Sequence, residues 1–216
     1  PEEIAEDVRL VNEYLKLQIL YDDRMLEPAI GWQREPARGY AVVSLCTWDR
    51  PGLFSRITGV LAECGLNILG ARIFTREDSI ALDRFFVTDA RTGQLPKRPQ
   101  REQCQERMAA ALSAEQDVEL DLNRLPADAL EYQAIAGERI PTVIEFDNRS
   151  SVEFTVLDLE AEDHVGLLYV VSDTLAELGL NIQLAKINTE EGAATDSFYV
   201  TDSGITKIVN QVRQRK

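Results

Sequence analysis

The pattern of apolar and polar positions predicts the same order of elements twice along the chain. Runs rich in β-branched residues predict strands over 40–47 and 152–159, and a polar turn follows each run. Gly65 and Gly179 stand where a left-handed residue would end a helix. The helices before these glycines are marked by mostly apolar residues at helical spacing: Leu53, Ile57, Val60 and Leu61, then Leu167, Val171, Thr174 and Leu175. A predicted hairpin follows each helix: 67–75 with 80–88, and 181–189 with 193–201.

The predicted ends of the two copies differ. In the first copy, a helix over 101–112 precedes a fourth strand over 118–122. In the second copy, a helix over 205–213 leaves too few residues for a strand. We therefore expect the run over 142–146, which precedes a polar turn, to pair antiparallel with the 152–159 strand. It would then fill the vacant edge of the second sheet.

A further amphipathic helix is predicted over residues 1–20. Its apolar residues near one face are Ile4, Val8, Val11, Leu15 and Ile19. Such a stripe predicts packing, either within this chain or against a domain upstream. Because the sequence begins with Pro rather than Met and starts directly in this helical pattern, we expect it to be part of a longer polypeptide.

An internal repeat at an offset of 114 residues indicates that the two copies share one fold. Segment 61–68 returns as 175–182 with seven of eight residues identical. At the same offset, a second group of residues recurs: Asp49, Gly52 and Leu53 return as Asp163, Gly166 and Leu167. A period of this size corresponds to a whole domain rather than to a short solenoid unit.

The predicted fold class is α+β, with two ferredoxin-like βαββαβ sandwiches preceded by an N-terminal helix. Each sandwich would be an antiparallel sheet with helices on one face. The expected divisions are a helix and linker (1–38), a first domain (39–124), a linker (125–141) and a second domain (142–216).

Composition excludes several classes of function. The chain has 216 residues, with 23 Lys and Arg against 37 Asp and Glu, and a net charge of −14. This acidity argues against a nucleic-acid partner, because such affinity comes mostly from Lys and Arg neutralising phosphates. No apolar run approaches the length of a membrane helix. Three cysteines without a CxxC pair favour a reducing compartment, so we expect a cytoplasmic location.

The residues that usually carry catalysis are also missing from the sequence. His164 is the single histidine, so a multi-histidine metal site cannot form within this chain. No P-loop, dinucleotide-binding, nucleophile-elbow or HExxH motif occurs. We therefore expect no catalytic residue, no metal and no cofactor in this chain.

The polar turn before the first helix of each copy is the candidate binding site. Its glycine has no side chain to block a ligand, and helix N-terminal N–H groups suit a carboxylate. An aspartate can bind an ammonium group, and an asparagine at the start of the next strand can donate and accept hydrogen bonds. These groups together fit a free amino acid. The candidates are Asp49, Arg50, Gly52, Leu53, Asn67 and Ile68 in the first copy, and Asp163, His164, Gly166, Leu167, Asn181 and Ile182 in the second.

A local explanation of the same residues stays open. The aspartate could cap the helix, and the asparagine could sit in the turn after the glycine, without any ligand. Recurrence within one chain indicates common origin and a shared fold, and it does not by itself indicate binding.

The segment 49–54, followed by Gly65-Leu66-Asn67-Ile68, resembles the ACT domain family. This resemblance covers both copies, over about 40–122 and 142–213, and implies a βαββαβ module that binds amino acids and regulates enzymes. Segments 1–5, 85–89 and 142–148 are more specifically similar to the C-terminal end of the bifunctional uridylyltransferase and uridylyl-removing enzymes, which modify the PII nitrogen-signalling protein.

The resemblance implies a function and its partners. The tandem unit would sense an amino acid, with glutamine favoured, and control upstream nucleotidyltransferase and hydrolase domains that lie outside these 216 residues. A homodimer is possible. Two other hypotheses stay open: a pure interaction module that pairs through sheet edges or helix faces, and a stand-alone amino-acid-binding protein.

Sequence differences between the two loops favour the first loop as the binding site. His164 and Val165 replace Arg50 and Pro51, and acidic residues flank the second loop, which weakens its case for a carboxylate. Trp48 could either wall the first pocket or fill it. A site at the interface between the repeats is a further option.

Overall fold

The computed structural model describes residues 2–20, 27–113, 140–190, 193–202 and 207–208. Its helices are α1 (Glu2–Leu20), α2 (Leu53–Glu63), α3 (Arg98–Ser113) and α4 (Leu167–Glu177). Its first four strands are β1 (Ala29–Glu35), β2 (Tyr40–Trp48), β3 (Leu66–Arg72) and β4 (Ile80–Asp89). The others are β5 (Val143–Asp147), β6 (Thr155–Glu162), β7 (Leu180–Lys186), β8 (Thr189–Glu190) and β9 (Ala193–Asp202).

The strands form one continuous antiparallel sheet. Its order is β1-β2-β4-β3-β7-β9-β6-β5, and the short β8 pairs with β9. Each half has an antiparallel sheet with a helix between its second and third strands, so the predicted α+β, ferredoxin-like fold class is confirmed. The two sheets are joined where β3 of the first repeat pairs with β7 of the second, which the sequence did not predict.

Residues 114 positions apart meet where the two repeats join. Arg72 pairs with Lys186 in the sheet. In the helical layer, Thr58 Oγ1 on α2 lies 3.2 Å from Ser172 Oγ on α4, and both residues are buried. Since equivalent residues contact each other only near a rotation axis, a pseudo-twofold axis runs between α2 and α4 and between β3 and β7.

Each repeat begins with an edge strand. The predicted strand over 142–146 is observed as β5, which pairs antiparallel with β6, so this prediction is confirmed. The structure adds an equivalent strand, β1, within the 1–38 segment expected to be helix and linker. Ala29 faces Cys46 and Val143 faces Glu160, so the 114-residue period extends to the edge strands. The predicted 118–122 strand and most of the 205–213 helix lie outside the described residues.

The strand expected over 152–159 begins later than predicted. β6 starts at Thr155, and Val152 is exposed, because the Ser151 hydroxyl accepts the N–H of Phe154 at 3.0 Å and extends the turn. Leu157, Leu159 and Ala161 then alternate toward the core. The other predicted strands and helices that lie within the described residues agree with the structure to within a few residues.

The core lies between the sheet and helices α2, α3 and α4. Phe85 on β4 and Phe198 on β9 are fully buried at equivalent places in the two repeats. Apolar residues of both repeats, including Ile57, Leu61, Leu157 and Leu175, belong to the same cluster. The repeats therefore share a hydrophobic core across their junction.

Helix α1 packs on the opposite face of the sheet, over β1, β2 and β4. Leu10 and Tyr14 are buried there, and Arg84 pairs with Asp7 at 2.5 Å. The helix approaches β1 closely at Gly31, where an added Cβ would lie 2.5 Å from Glu6 Oε1. This packing within the chain is one of the two expected possibilities.

The predicted apolar stripe of α1 is largely wrong. Val8 and Leu15 are exposed and Val11 is half-buried, because the face that meets the sheet carries Leu10 and Tyr14 instead. The side chains of the two terminal members of that stripe lie outside the described residues. None of the helices described is long and apolar enough to cross a membrane.

Candidate functional site

The turns after β2 and β6 end in glycines with positive φ. Gly52 has a φ of 75° and Gly166 a φ of 89°, and each immediately precedes its helix. Only glycine adopts this conformation readily, so it permits an abrupt change of direction into the helix. Asp49 does not cap α2: its carboxylate accepts the Thr75 hydroxyl at 3.2 Å. The helix-capping explanation of Asp49 is therefore wrong.

The first turn of each helix offers two backbone donors. In α2, the N–H of Leu53 bonds to Arg50 O and that of Arg56 bonds to Gly52 O. Within the described residues, the N–H groups of Phe54 and Ser55 have no protein acceptor. Helix α4 repeats this arrangement at Leu168 and Tyr169. These N–H groups, at the positive end of a helix dipole, suit an anionic group.

A cleft opens over the first turn, and both repeats line it. This first cleft has four sides. They are the β2–α2 turn with the start of α2 (Asp49, Arg50, Gly52, Leu53, Phe54, Ser55), the β3–β4 hairpin (Ile73, Thr75, Ala81, Asp83), α4 (Ser172, Ala176) and β7 (Leu180, Asn181, Ile182). The aspartate of the first repeat thus faces the asparagine of the second.

The second cleft has the reciprocal composition. Asp163, His164 and Gly166 of the second repeat meet residues of the first: Thr58, Ala62, Leu66, Asn67 and Ile68. The Asn67 amide donates to the Asp163 carboxylate across the junction. All predicted site residues line one of the two clefts except Leu167, which packs against the core.

The two clefts differ in size. The first has about 460 Å³ of empty volume, including its solvent-open mouth, and the second about 260 Å³. The first cleft is therefore the larger of the two on the same measure. Trp48 is 46 % exposed and lies outside the lining, so it neither walls nor fills this cleft.

Two polar candidates in the turns, Arg50 and His164, also have contacts within the protein. Arg50 Nη2 donates to Leu112 O at 2.5 Å, which ties the turn to the end of α3. His164 Nδ1 lies 3.2 Å from Val165 O in its own turn. The described residues contain no group of three or more His, Cys, Asp or Glu side chains that could hold a metal ion.

Burial dominates the electrostatics of the clefts. It raises the pKa of Asp49, and hydrogen bonds from Thr75 and the Arg50 N–H oppose this shift. Burial likewise raises the pKa of Asp163, against the lowering effects of His164 and the Asn67 amide. Both carboxylates are thus desolvated and would gain from a cationic ligand group.

Sequence reasoning missed two further carboxyl groups. Asp83 on β4 and Asp196 on β9 are buried, and burial raises their pKa to about 8 and about 6, respectively. The sequence pattern of β4 and β9 could have revealed both aspartates. In both strands, every second residue points inward, and these residues read Ala-Asp-Phe-Val. The aspartate thus occupies a position that is usually apolar in a buried strand face.

Comparison with known proteins finds a matching family model. The ACT domain family model matches residues 40–97. This segment of the first repeat therefore resembles an ACT domain. The second repeat has the same edge strand, loop, helix and hairpin at the 114-residue offset, so the unit is a tandem pair of ACT-like folds.

Several curated relatives resemble almost the whole chain. Each bears the name bifunctional uridylyltransferase/uridylyl-removing enzyme. The protein of Novosphingobium aromaticivorans is 36 % identical over 83 % of this chain and 19 % of its own length. That of Rhodospirillum rubrum is 31 % identical over 88 % of this chain and 20 % of its own length. That of Azospirillum brasilense is 31 % identical over 99 % of this chain and 23 % of its own length.

The chain therefore spans about a fifth of the length of these relatives. Among solved structures, aspartate kinase from Synechocystis is 17 % identical, with a TM-score of 0.38 over 77 % of this chain and 25 % of that one.

Proposed function

We propose that this chain is a regulatory unit that binds an amino acid, most specifically glutamine, between its two ACT repeats. Through this binding it would control an attached PII uridylyltransferase and uridylyl-removing enzyme in the cytoplasm. The observation that carries the proposal is the first cleft, where the Asp49 turn of one repeat faces Asn181 of the other. The names of the relatives supply the attached enzyme.

The groups in the first cleft complement each part of an amino acid. The N–H groups of Phe54 and Ser55 would bind the α-carboxylate at the start of α2. Asp49 would bind the ammonium group, and Asn181 and Ser172 would bind a side-chain amide. Hydrogen bonds to charged groups are each worth about 1.5–3 kcal/mol, which is enough for selective binding of a small zwitterion.

A ligand between the repeats can regulate because it contacts both of them. The β-ladder that joins them has a single residue pair, Arg72 with Lys186, so a small change in their packing would reshape the cleft. An amino acid that binds one arrangement about 100-fold more tightly would favour it by about 2.7 kcal/mol. The attached enzyme would respond to that change in population.

The first cleft is the better candidate of the two. It is larger than the second, and two aspartates line it, the half-buried Asp49 and the buried Asp83. In the second cleft, the Asn67 amide already donates to Asp163, so part of its hydrogen-bonding capacity is used within the protein.

The proposal is tested by calorimetric titration of the 216-residue chain with each of the twenty amino acids. We expect glutamine to bind more tightly than the others. In a longer protein that includes the catalytic domains, glutamine should also shift the balance between uridylyl transfer and removal. Absence of binding by all twenty amino acids would contradict the proposal.

A dimerisation module is a second candidate, favoured by β5. This strand forms an edge of the sheet, and its Val143 and Ile144 side chains are exposed. An exposed apolar edge strand can pair with another copy. If it does, Ile144→Lys should convert a dimer to a monomer in analytical ultracentrifugation, whereas a monomeric wild-type chain would exclude this role.

A further inference from the structure

One carboxyl oxygen of Asp83 has no role within the described fold. Asp83 is 2 % exposed and lies in the inward-facing row of β4, between Ala81 and Phe85. One of its oxygens accepts the backbone N–H of Phe74. Among the described residues, no group donates to the other oxygen, Oδ1, which is also buried from solvent. An unsatisfied buried acceptor is costly and calls for an explanation.

Stabilisation of the hairpin explains only one of the two carboxyl oxygens of Asp83. The equivalent Asp196 accepts the backbone N–H of Asn188 at 3.1 Å, so both repeats use an aspartate to hold the β-hairpin. Asp196, however, does not line the second cleft, and no buried oxygen of Asp196 is without a partner in the described structure. The orphaned oxygen is thus specific to Asp83, and Asp83 lines the first cleft.

The ionisable groups that face Asp83 are few. Among the described residues, those that line the first cleft are Asp49, Arg50 and Asp83 itself. The other described lining residues of the hairpin, α4 and β7 are uncharged, such as Thr75, Ser172 and Asn181. Arg50 donates to Leu112 O at the end of α3. Two desolvated carboxyl groups therefore share one small cleft, and their common complement is a cation with several N–H donors.

We propose that Asp83 binds the ammonium group of the ligand together with Asp49, and so selects amino acids over acids that lack the amine. This inference rests on the proposed function, because it assigns a role within the same cleft. The ammonium N–H would satisfy Oδ1, and the Phe74 N–H would keep the carboxyl group oriented.

Binding of an ammonium group to Asp83 should release a proton. Burial and the nearby Asp49 raise the pKa of Asp83 to about 8, so its carboxyl group is mostly protonated at pH 7 in the free protein. When the ammonium binds, Asp83 gives its proton to solvent, and the carboxylate accepts an ammonium N–H. No covalent bond of the ligand changes. Affinity for glutamine should therefore rise as the pH increases from 6 to 8.

The test compares L-glutamine with 4-carbamoylbutanoate, which has the same carboxylate and amide but no amine. Calorimetry of the 216-residue chain in buffers of different ionisation enthalpy counts the protons released. We expect Asp83→Asn to weaken glutamine binding about tenfold or more and to abolish most of the proton release at pH 7. Binding of 4-carbamoylbutanoate should change little.

Asp196→Asn is the matched control, because it removes the equivalent carboxylate outside the clefts. It should leave glutamine affinity within about threefold of wild type. If wild-type chain and Asp83→Asn bind glutamine equally and release the same number of protons, Asp83 has no such role. If the wild-type chain binds no amino acid, the proposed function itself fails.

If Asp83→Asn does not fold, a measurement on the wild-type protein tests the same proposal. The ratio of the affinities for glutamine and for 4-carbamoylbutanoate should increase from pH 6 to pH 8. A ratio that is constant over this range overturns the proposal without use of any variant.

Discussion

At the scale of single residues, equivalent positions of the two repeats have acquired different contacts. Asn67 donates to Asp163, whereas its counterpart Asn181 lines the larger cleft opposite Asp49. Asp83 lines the first cleft and has a buried oxygen without a partner among the described residues, whereas Asp196 has no such oxygen there. Two copies of one fold thus form one larger cleft and one smaller cleft that the Asn67–Asp163 hydrogen bond crosses.

The positive φ of Gly52 gives a prediction for stability. Gly52→Ala should lower the free energy of unfolding by about 1–2 kcal/mol, because an L-residue with a Cβ is strained in this conformation. Gly52→Asn should cost less, since asparagine tolerates the left-handed region. Urea unfolding of both variants measures the difference, and an equal loss for the two would contradict this explanation.

The pKa of Asp83 gives a second prediction. It is about 4 in the unfolded chain and about 8 in the folded one, so between these values the folded state holds a proton that the unfolded state has lost. The contribution of this group to stability therefore falls as the pH rises through this window, with a limiting slope of about 1.4 kcal/mol per pH unit.

Asp83→Asn should consequently gain stability relative to wild type as the pH increases from 5 to 8. Denaturant unfolding at several pH values measures this gain. For Asp196→Asn the gain should level off near pH 6, because the pKa of Asp196 is about 6. A difference between Asp83→Asn and wild type that is independent of pH would contradict a raised pKa.

At the scale of elements, β3 and β7 decide the geometry of the site. The two strands pair with each other, and this pairing brings the two repeats together. Helices α2 and α4 also meet at the junction, at Thr58 and Ser172. Gly70 on β3 permits this approach, since an added Cβ would lie 3.3 Å from Ile187 O of the second repeat. The corresponding residue on β7 is Leu184.

Enlarging Gly70 should therefore disturb the junction. Gly70→Val is expected to cost about 1–3 kcal/mol in the free energy of unfolding through overpacking against Ile187 O, and to weaken glutamine binding as well. Leu184→Val, at the matching position of β7, should have a smaller effect on both. Equal effects of the two substitutions in denaturation and calorimetry would show that the close approach is not important.

Elements also show what the sequence could and could not predict. Periodicity and the repeat located most helices and hairpins, because each is encoded by nearby residues. Strand β1 was missed, since Gly31, Gln33, Arg34 and Glu35 make it too polar to look like a strand. Asp49 and Asn181 line the same cleft only because of the β3–β7 contact, which joins residues far apart in sequence. Asp83 was visible only as an acidic residue in an otherwise apolar alternation.

At the scale of the whole molecule, two repeats share one sheet and one hydrophobic core, and the clefts lie at their junction. A ligand in the first cleft would bind only the folded chain with both repeats docked. An increase in the free energy of unfolding on addition of ligand would therefore show that the ligand binds the docked repeats.

Glutamine at about 100 times its dissociation constant should raise the free energy of unfolding by about 2.7 kcal/mol. For a chain of this size, that corresponds to an increase in Tm of about 5–10 °C. Calorimetric melts with glutamine and with glutamate as the comparison measure it. An equal shift with both amino acids would contradict selection of the side-chain amide.

The central claim is that the amino acid binds between the repeats, with Asp49 and Asn181 in the same site. Calorimetric titration of L-glutamine into Asp49→Ala, Asn181→Ala and Asn67→Ala tests it most directly. The account predicts that Asp49→Ala and Asn181→Ala each weaken binding about tenfold or more, and that Asn67→Ala leaves it nearly unchanged. Loss of binding in Asp49→Ala and Asn67→Ala, with wild-type affinity in Asn181→Ala, would place the site within one repeat and contradict the account.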